Sequence, residues 1–496
     1  MRQLKHLFAV LVVSTIAIAA NAQDTPAQKN EVLSTLIDKV VNAYGGDALT
    51  GMKNYRISEL YISPASGQSH TPTLDNIGSV GQLLVRDIEG DRLYFENWFR
   101  GRSGIFSNAT IINGDTAADF NLLAGTYGDA ANDDPYAVAG GTMRTTDTLL
   151  ALELHKARDE AKYLGSADYM NRSHDKVQIP FPQSPDLTLY IDGKTHLISR
   201  MTRDNPQIGL LDYVFSGHVS KNGITRATGS SFFLAGRPNL IGSRREITFN
   251  QDLSDSSFEL PAELQKEGER LDTSEMIANR LSDKIYHVGQ GNGFSVFIDT
   301  GNGIVAAGGY PGLRQRLARF REETGSYQPL VYQVVTHHHQ DHLGGLGEAI
   351  EMGARLVTVG DNIDVIKAST RRELEPGRFL LVGNRVTLGS GSNRVEVYEV
   401  ATLHAASYLV VYVPGSRTLF IADHFGSPYA EGIPTANRNT VSLHAALEPL
   451  DLNYNKIITA HGGRVFSARD FNKSVADFDE SACPADKQLC QETFSF

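Results

Sequence analysis

Four histidines and one aspartate lie within the stretch THHHQDHLGG, which begins at Thr336. The apolar stretch LVYQVV directly precedes it, so the chain should still be extended when it reaches the histidines. Alternate side chains of an extended chain point to opposite faces. His337 and His339 are therefore predicted to share one face, and His338 is predicted to point away from them.

Asp341 and His342 come next, at the turn into a predicted helix. Their side chains can reach the same cavity from another direction, and Gly344-Gly345 lets the backbone pass close by. A surface histidine tract is the alternative, but four solvated histidines have no evident reason to follow a strongly apolar strand. The pattern H-x-H-x-D-H therefore predicts a metal site.

Three further candidate ligands lie downstream, each at the end of an apolar segment. His404 follows VEVYEVATL, Asp423 follows RTLFIA, and His461 follows NKIITA. These segments would gather their side chains with the histidine stretch at one end of a sheet. Imidazole and carboxylate groups together are ligands that suit a first-row transition metal.

The whole set resembles the signature of the metallo-β-lactamase-fold hydrolase superfamily: H-x-H-x-D-H, a later histidine, a strand-terminal aspartate and a final A-H-G-G. The resemblance covers residues 275–475 and implies an α/β fold, namely an αββα sandwich with the metal site at one rim. By this resemblance one metal ion is held by His337, His339 and His404, a second is held by Asp341, His342 and His461, and Asp423 bridges the two.

The cofactor that the resemblance implies is a pair of zinc ions, although nitrogen and oxygen ligands also admit iron or manganese. Two such ions about 3.5–4 Å apart can share a water and lower its pKa toward roughly 7. The implied reaction is attack of the resulting hydroxide on an ester-like bond. Asp341 is the predicted catalytic residue, which orients the nucleophile and shuttles its proton.

One position departs from the superfamily pattern, in which an early strand often ends with an aspartate that supports a metal ligand. Here GIVAAGG places Ala306-Ala307 at that point, and the nearby Asp299 is predicted to lie in a turn. The residues that hold the metal ligands in place are therefore expected to differ from those of other superfamily members. His424 follows Asp423 directly and is either a substrate contact or a structural residue; the structural role is favoured, because neighbours on a strand point to opposite faces.

The N-terminus has the three parts of a secretory signal peptide: the basic start MRQLKHL, the apolar run FAVLVVSTIAIAA, and the small residues Ala20-Asn21-Ala22. A membrane anchor is the alternative, but the apolar run is short for one. Residues 1–22 are thus predicted to be removed, and the protein is expected in the periplasm or outside the cell, without a membrane span. Cys483 and Cys490 are then expected to form a disulfide in the tail, residues 476–496.

The sequence predicts a separate domain at residues 23–265, made of a helix followed by antiparallel strands. The helix, KNEVLSTLIDKVVNAY, ends before Gly45, and Glu89-Gly90 and Asp192-Gly193 are predicted hairpin turns. This half weakly resembles the curved β half-barrel of periplasmic lipoprotein-sorting proteins. Such a half-barrel could present an acyl chain to the metals, or it could be a structural or dimerising module. The apolar stripe of the helix is predicted to contain Val32, Leu33, Leu36, Ile37, Val40 and Val41.

A polar stretch, ELPAELQKEGERLDTSEM at residues 259–276, predicts the domain boundary. Strands alternate with helices after it, which is typical of a layered α/β domain. GQGNG at residues 289–293 is interpreted as a tight turn, because a strand follows it where a dinucleotide-binding motif requires a helix.

The net charge and the identity of the predicted ligands argue against some classes of function. The net charge of −11 argues against a nucleic-acid partner, which would need a basic face. The predicted partner is a small, amphipathic ester, lactone or thioester. A β-lactam hydrolase is one alternative, although antibiotic-cleaving members usually carry another residue at the position of Asp423. A periplasmic carrier with a catalytically silent metal domain is the other, and the complete ligand set disfavours it.

Overall fold

The computed structural model describes residues 26–64, 67–73, 77–102, 104–205 and 209–480. The predicted signal peptide lies outside the described residues, and so do Cys483 and Cys490, so that both features remain predictions. Among the described residues, no helix is both long and apolar enough to cross a membrane.

The first domain is a large antiparallel sheet with helices packed on it. Its helices are α1 (Pro26–Tyr44), α2 (Asp47–Thr50), α3 (Pro135–Arg144) and α4 (Asp147–Lys156). Its strands are β1 (Asn54–Ser63), β2 (Gly78–Asp87), β3 (Arg92–Gly101), β4 (Gly104–Asn113), β5 (Thr116–Asn121), β6 (Thr126–Asp129), β7 (Lys162–Tyr169), β8 (Arg172–Phe181), β9 (Ser184–Asp192), β10 (Ile198–Asn205), β11 (Gly209–Lys221), β12 (Ile224–Leu234), β13 (Arg237–Phe249) and β14 (Gln265–Lys266).

These strands form one sheet in the order β14-β6-β5-β4-β3-β2-β1-β13-β12-β11-β10-β9-β8-β7. Neighbouring strands are antiparallel except for β14, which pairs parallel with β6. The turns at Glu89-Gly90 and Asp192-Gly193 connect β2 to β3 and β9 to β10, as predicted. The predicted helix followed by antiparallel strands is thus confirmed, whereas the likeness to lipoprotein-sorting proteins remains a prediction.

Helix α1 buries an apolar stripe against the sheet and α4. The prediction was wrong for Val32, which is 49% exposed. Tyr44 extends the stripe instead, because it lies one turn beyond Val40 and Val41 and its hydroxyl donates to the buried Asp147 (2.8 Å). The residues of α1 that the domain core contains are Leu33, Leu36, Ile37, Val40, Val41 and Tyr44.

The second domain consists of two sheets. The first sheet has the order β15 (Ile277–Ser282), β16 (Ile285–Gln290), β17 (Gly293–Asp299), β18 (Ile304–Ala307), β19 (Leu330–Val334), β20 (Arg355–Thr358) and β21 (Phe379–Leu381). The second has the order β22 (Arg385–Leu388), β23 (Val395–Val400), β24 (Tyr408–Val413), β25 (Thr418–Phe420), β26 (Lys456–Ile458) and β27 (Phe466–Ser467).

Helices cover the outer faces of both sheets. An apolar core between the sheets joins residues such as Val296 and Val334 of the first sheet to Val397 and Ile457 of the second. A further core lies between the first sheet and its helices. This arrangement is the predicted αββα sandwich. Its helices are α5 (Leu313–Thr324), α6 (Leu346–Glu351), α7 (Ile363–Thr370), α8 (Arg438–Leu447) and α9 (Ala468–Ala476).

The connection between the domains runs from Lys266, at the end of the first sheet, to Ile277, at the start of the second domain. Residues 289–293 form the turn between β16 and β17, so the interpretation of GQGNG as a turn is confirmed. Short 3-10 helices span Asp255–Phe258, Gln340–His342, Gly360–Asn362, Pro376–Arg378, Gly391–Asn393 and Glu448–Leu450.

Candidate metal centre

The ends of four strands bring the predicted ligands to one rim of the sandwich. His337 and His339 follow β19, His404 follows β23, Asp423 follows β25, and His461 follows β26. Strands β23 and β25 both pair antiparallel with β24, and β25 pairs parallel with β26. The three strands therefore run in the same direction, and their carboxyl ends meet at one edge.

The first group of ligand atoms comes from His337, His339, His404 and Asp423, and these atoms all lie within 4.8 Å of one another. The Nε2 atoms of His337 and His404 are 3.3 Å and 3.0 Å from Asp423 Oδ2. The two Nε2 atoms are 3.1 Å apart. Nitrogen and oxygen atoms thus converge on one point.

The second group comes from Asp341, His342, Asp423 and His461, again within 4.8 Å. His342 Nε2 is 2.8 Å from Asp423 Oδ1 and 3.2 Å from Asp341 Oδ2. His461 Nε2 lies 3.4 Å from Asp423 Oδ1 and 3.5 Å from Asp341 Oδ2. Asp423 belongs to both groups, which is the position that a bridging ligand requires.

The donor atoms fit divalent metal ions. His339 Nε2 lies 2.9 Å from the carbonyl oxygen of Ser69, to which it can donate a hydrogen bond. That bond leaves a lone pair on His339 Nδ1, which is buried and has no hydrogen-bond partner among the described residues. A buried, unpaired imidazole nitrogen is costly unless a ligand uses it. A nitrogen and oxygen donor set of this kind suits zinc, iron or manganese.

The charges of the cluster favour a cation. Burial lowers the pKa of His337 to about 3, so its imidazole is neutral. Burial alone would raise the pKa of the Asp423 carboxyl, but His342 and His337 hold it well below its usual range. Burial would likewise lower the pKa of His342, yet Asp423 and Asp341 raise it to about 10. Two carboxylates concentrated at a buried point attract positive charge.

Tyr310 is a residue of the centre that the sequence interpretation missed. Its hydroxyl donates to Asp341 Oδ2 (3.0 Å) and lies 2.8 Å from His461 Nδ1. Burial raises the pKa of Tyr310 above its ordinary value, and Asp341 and Asp423 raise it further, so the phenol keeps its proton. The buried Arg316 donates to the carbonyl oxygen of Tyr310 (2.7 Å). Tyr310 follows the strand that ends at Ala307, where superfamily members often have an acid.

Glycines allow the chain to pass closely around Tyr310. Gly345 N donates to Gly309 O (2.7 Å). A Cβ on Gly345 would overlap the Tyr310 carbonyl, and a Cβ on Gly309 would overlap the His342 carbonyl. The predicted role of Gly344-Gly345 in close backbone passage is thus confirmed for Gly345.

Three other residues considered from the sequence, His338, His424 and Asp299, lie outside the two ligand groups. His338 is buried but belongs to neither group. His424 is also buried, and its Nε2 lies 3.1 Å from Thr402 Oγ1, which is a structural contact. Asp299 accepts hydrogen bonds from Ser326 Oγ (2.6 Å) and Gly301 N (2.8 Å), so it stabilises the turn after β17 rather than a metal ligand.

Two tyrosines near the ligands in sequence have different surroundings. The Tyr408 hydroxyl donates to Ile421 O (2.7 Å) and accepts from Asp423 N (3.0 Å), and its ring stacks on His337. Tyr408 therefore contacts two predicted ligands, Asp423 and His337, and helps to hold them in place. Tyr429 instead lines a cavity of about 360 Å³ between the two domains, beside Arg270.

Comparisons with known proteins match parts of the chain. No family model matches the sequence. A hydroxyacylglutathione hydrolase of Prochlorococcus marinus (strain MIT 9312) is 30% identical over 114 residues, which are 23% of this chain and 42% of that protein. The chain thus spans about two fifths of the length of this relative.

Two solved structures are similar to the chain at low identity. A metallo-β-lactamase from Pontibacter korlensis is 19% identical, with a TM-score of 0.33, and the match covers 41% of this chain and 98% of that one. A flavodiiron protein from Giardia intestinalis is 18% identical, also with a TM-score of 0.33, covering 41% and 58%. The predicted similarity of the C-terminal half to metallo-β-lactamase-fold proteins is confirmed, and the sheets and ligand groups described above are in line with it.

Proposed function

We propose that the protein is an exported, two-metal hydrolase that cleaves an ester-like bond (ester, lactone or thioester) in a small, amphipathic substrate. The observation that carries this proposal is the position of Asp423, which belongs to both groups of metal-ligand atoms. Two divalent ions held by these residues would supply a Lewis acid for an acyl oxygen and would activate a water. Zinc is the proposed metal.

In this proposal, Asp341 holds and moves the proton. Burial would raise the pKa of the Asp341 carboxyl, but the hydrogen bond with His342 lowers it below the usual range, so the group is ionised. An ionised carboxylate at this position can orient the attacking water and take up its proton. It would then pass that proton to the leaving oxygen or sulfur. Tyr310 donates to Asp341 Oδ2 and so restricts the orientation of the carboxylate.

The partial similarity to a hydroxyacylglutathione hydrolase supports an acyl substrate. β-Lactam hydrolysis is the second candidate, because a water activated by two metal ions can also attack a β-lactam carbonyl. The carrier alternative, with a silent metal domain, is disfavoured because the seven predicted ligands are all present and converge.

The test is hydrolysis by the mature, zinc-loaded protein of five substrates: an aryl ester, an acyl lactone, a thioester, a phosphodiester and a cephalosporin. A chelator and His461→Ala should each abolish turnover. His444→Ala is the matched control, because His444 is a histidine of α8 in neither ligand group, and it should keep full activity.

The results separate the candidates. Turnover of the ester, lactone or thioester supports the proposal, and turnover of the cephalosporin alone supports the β-lactam candidate. No bound metal and no turnover would leave the carrier, whereas two bound zinc ions without turnover of any of the five substrates would contradict the proposed substrate class. Export is tested separately by the mass of the mature protein, which should begin at Gln23 if the predicted cleavage occurs.

A further inference from the structure

One segment of the first domain, residues 67–73, reaches the metal centre of the second. It belongs to the connection between β1 (Asn54–Ser63) and β2 (Gly78–Asp87), both in the middle of the large sheet. A connection between two neighbouring antiparallel strands can be as short as two residues. This one is much longer, and long connections within a compact domain are often functional.

Two residues of the 67–73 segment contact predicted metal ligands directly. Gln68 Nε2 donates to Asp341 Oδ1 (2.9 Å). The carbonyl oxygen of Ser69 lies 2.9 Å from His339 Nε2. Ser69 is only 3% exposed, and its hydroxyl donates to Thr71 O (2.7 Å), which fixes the turn that presents the carbonyl. The segment thus touches one ligand from each of the two groups.

Backbone hydrogen bonds anchor the 67–73 segment on both sides of these contacts. Gln340 N donates to Gly67 O (3.2 Å), and Ala406 N donates to His70 O (2.8 Å). His70 Nε2 also lies 3.0 Å from Thr402 O. Gln340 lies between two ligands in sequence, and Ala406 follows His404 by two residues. The anchoring points are therefore the same chain segments that carry the ligands.

Gly67 shows how closely the two domains approach. Its φ of +78° is rarely adopted by other residues, and a Cβ there would overlap the side chain of Gln340. A β-branched residue could not keep this φ without strain, so it would displace the segment relative to the stretch that carries His339 and Asp341.

These contacts have two chemical consequences. A hydrogen bond from His339 Nε2 to a carbonyl leaves Nδ1 as the atom with a free lone pair, so Ser69 selects the nitrogen that faces the centre. The amide of Gln68 holds one oxygen of Asp341, while Tyr310 holds the other. Partners of this kind typically change metal affinity about 10–100-fold when they are removed.

We propose that the first domain completes the metal centre: the 67–73 segment positions His339 and Asp341, and Gln68 is a positioning residue of the hydrolase. This inference rests on the metal binding in the proposed function, but not on any particular substrate. It gives the first domain a role that neither an acyl-chain groove nor a dimerising module would supply.

The first experiment is a zinc titration of the metal-free full-length protein, with Gln68→Ala as the variant. Gln68 is exposed, so its truncation should leave the fold intact. Because Gln68 hydrogen-bonds to Asp341, a ligand of one group only, one of the two zinc ions should bind about 10-fold more weakly and the other should be unchanged. Thr73→Ala, at the exposed end of the same segment, is the matched control and should match the wild type.

Cobalt absorption gives a second readout that general destabilisation would not mimic. Titration of Co²⁺ into Gln68→Ala should change the visible spectrum of one binding step only. Gly67→Val, which displaces the whole segment, should weaken both steps, since it removes the contacts to His339 and Asp341 together. Circular dichroism of each variant verifies that the fold is retained.

The inference is overturned if folded Gln68→Ala and Gly67→Val both bind two zinc ions with wild-type affinity and show wild-type cobalt spectra. Hydrolysis of the five substrates by those variants would in that case still support the proposed function. Conversely, weaker metal binding in the variants with no hydrolysis by the wild type supports the inference and contradicts the proposed function.

Discussion

The carboxylate of Asp423 lies between the two ligand groups, with Oδ2 3.0 Å from His404 Nε2 and Oδ1 2.8 Å from His342 Nε2. An ester or amide isostere of this group could not carry the negative charge that two nearby cations require. The shape of the side chain and its charge can be separated experimentally, because asparagine has nearly the same volume.

Asp423→Asn should therefore lose bound metal while the protein still folds. Removing an indirect partner of a ligand already costs about 10–100-fold in metal affinity, so removing a shared ligand should cost at least about 100-fold. Zinc per chain, measured by atomic absorption after dialysis, should fall from two to one or none. Asp299→Asn is the control, since Asp299 is a buried aspartate of the same domain that stabilises a turn. Retention of two zinc ions by Asp423→Asn would contradict the bridging role.

Tyr310→Phe, assayed at saturating zinc, addresses positioning separately from metal affinity. The variant keeps the ring but loses the hydroxyl that donates to Asp341 and contacts His461. With both zinc ions bound at saturation, we expect kcat to fall about 10–100-fold, because proton transfer by a positioned group contributes about 10²–10⁴-fold. Steady-state kinetics on the best of the five substrates would measure this, with Tyr327→Phe as control because Tyr327 is 80% exposed. An unchanged kcat would exclude this role for Tyr310.

At the level of elements, the strand ends that carry the ligands were predictable, because the apolar run and the polar residue after it are both local features of the sequence. An apolar run predicts a buried strand, and a polar residue directly after it predicts a position at the rim. His337, His404, Asp423 and His461 could all be located in this way. Tyr310 could not, because it lies beyond a glycine pair and its direction depends on how residues 309 and 345 pack.

The contacts of residues 67–73 were not predictable either, for a different reason. Gln68 and Asp341 are far apart in the sequence, and no periodicity or spacing connects them. Their contact depends on how the two domains pack, which is a property of the folded chain. The helix of the first domain was predictable from its apolar stripe. The prediction was wrong at Val32 because this residue lies at the edge of the stripe, where neighbouring positions differ between buried and exposed.

Strand β16 contains a buried histidine, which gives the stability of the second domain a defined pH dependence. His287 is fully buried, its Nε2 lies 2.8 Å from Thr459 O, and burial lowers its pKa to about 4. The unfolded chain takes up this proton near pH 6.5, whereas the folded chain does so only near pH 4. The contribution of His287 to stability is therefore complete above about pH 6.5 and is lost as the pH falls toward 4.

His287→Gln should remove this part of the pH dependence, because glutamine can donate to Thr459 O but does not titrate. Between pH 7 and pH 5 the free energy of unfolding of the wild type should fall by about 2 kcal/mol more than that of the variant. Urea unfolding at both pH values measures the difference. Equal losses in the two proteins would show that His287 does not titrate in this way.

On the scale of the whole molecule, two of the contacts between the described parts of the domains differ in chemistry. The 67–73 segment contacts the metal ligands, and Arg270 connects β5 and β6 with the loop after Asp423. Arg270 donates to Asp119 Oδ2 (2.6 Å) and to Asp129 O (2.7 Å), and its guanidinium lies over the Tyr429 ring. Both contacts bear on chain segments that carry metal ligands, so the domain interface and the centre should respond together.

Chelation should therefore loosen part of the first domain, although the predicted metal ligands all lie in the second domain. Without metal, His339 and Asp341 lose the ions that they would hold, and the hydrogen bonds from Gln340 N to Gly67 O and from Ala406 N to His70 O should open more often. Hydrogen exchange measured by mass spectrometry should rise at residues 67–73 as well as around the ligands. The turn at Asn222-Gly223, in the large sheet, is the internal control. A rise confined to the second domain would mean that the segment is anchored independently of the metal, whereas a joint rise that readded zinc reverses would show that the two domains share one centre.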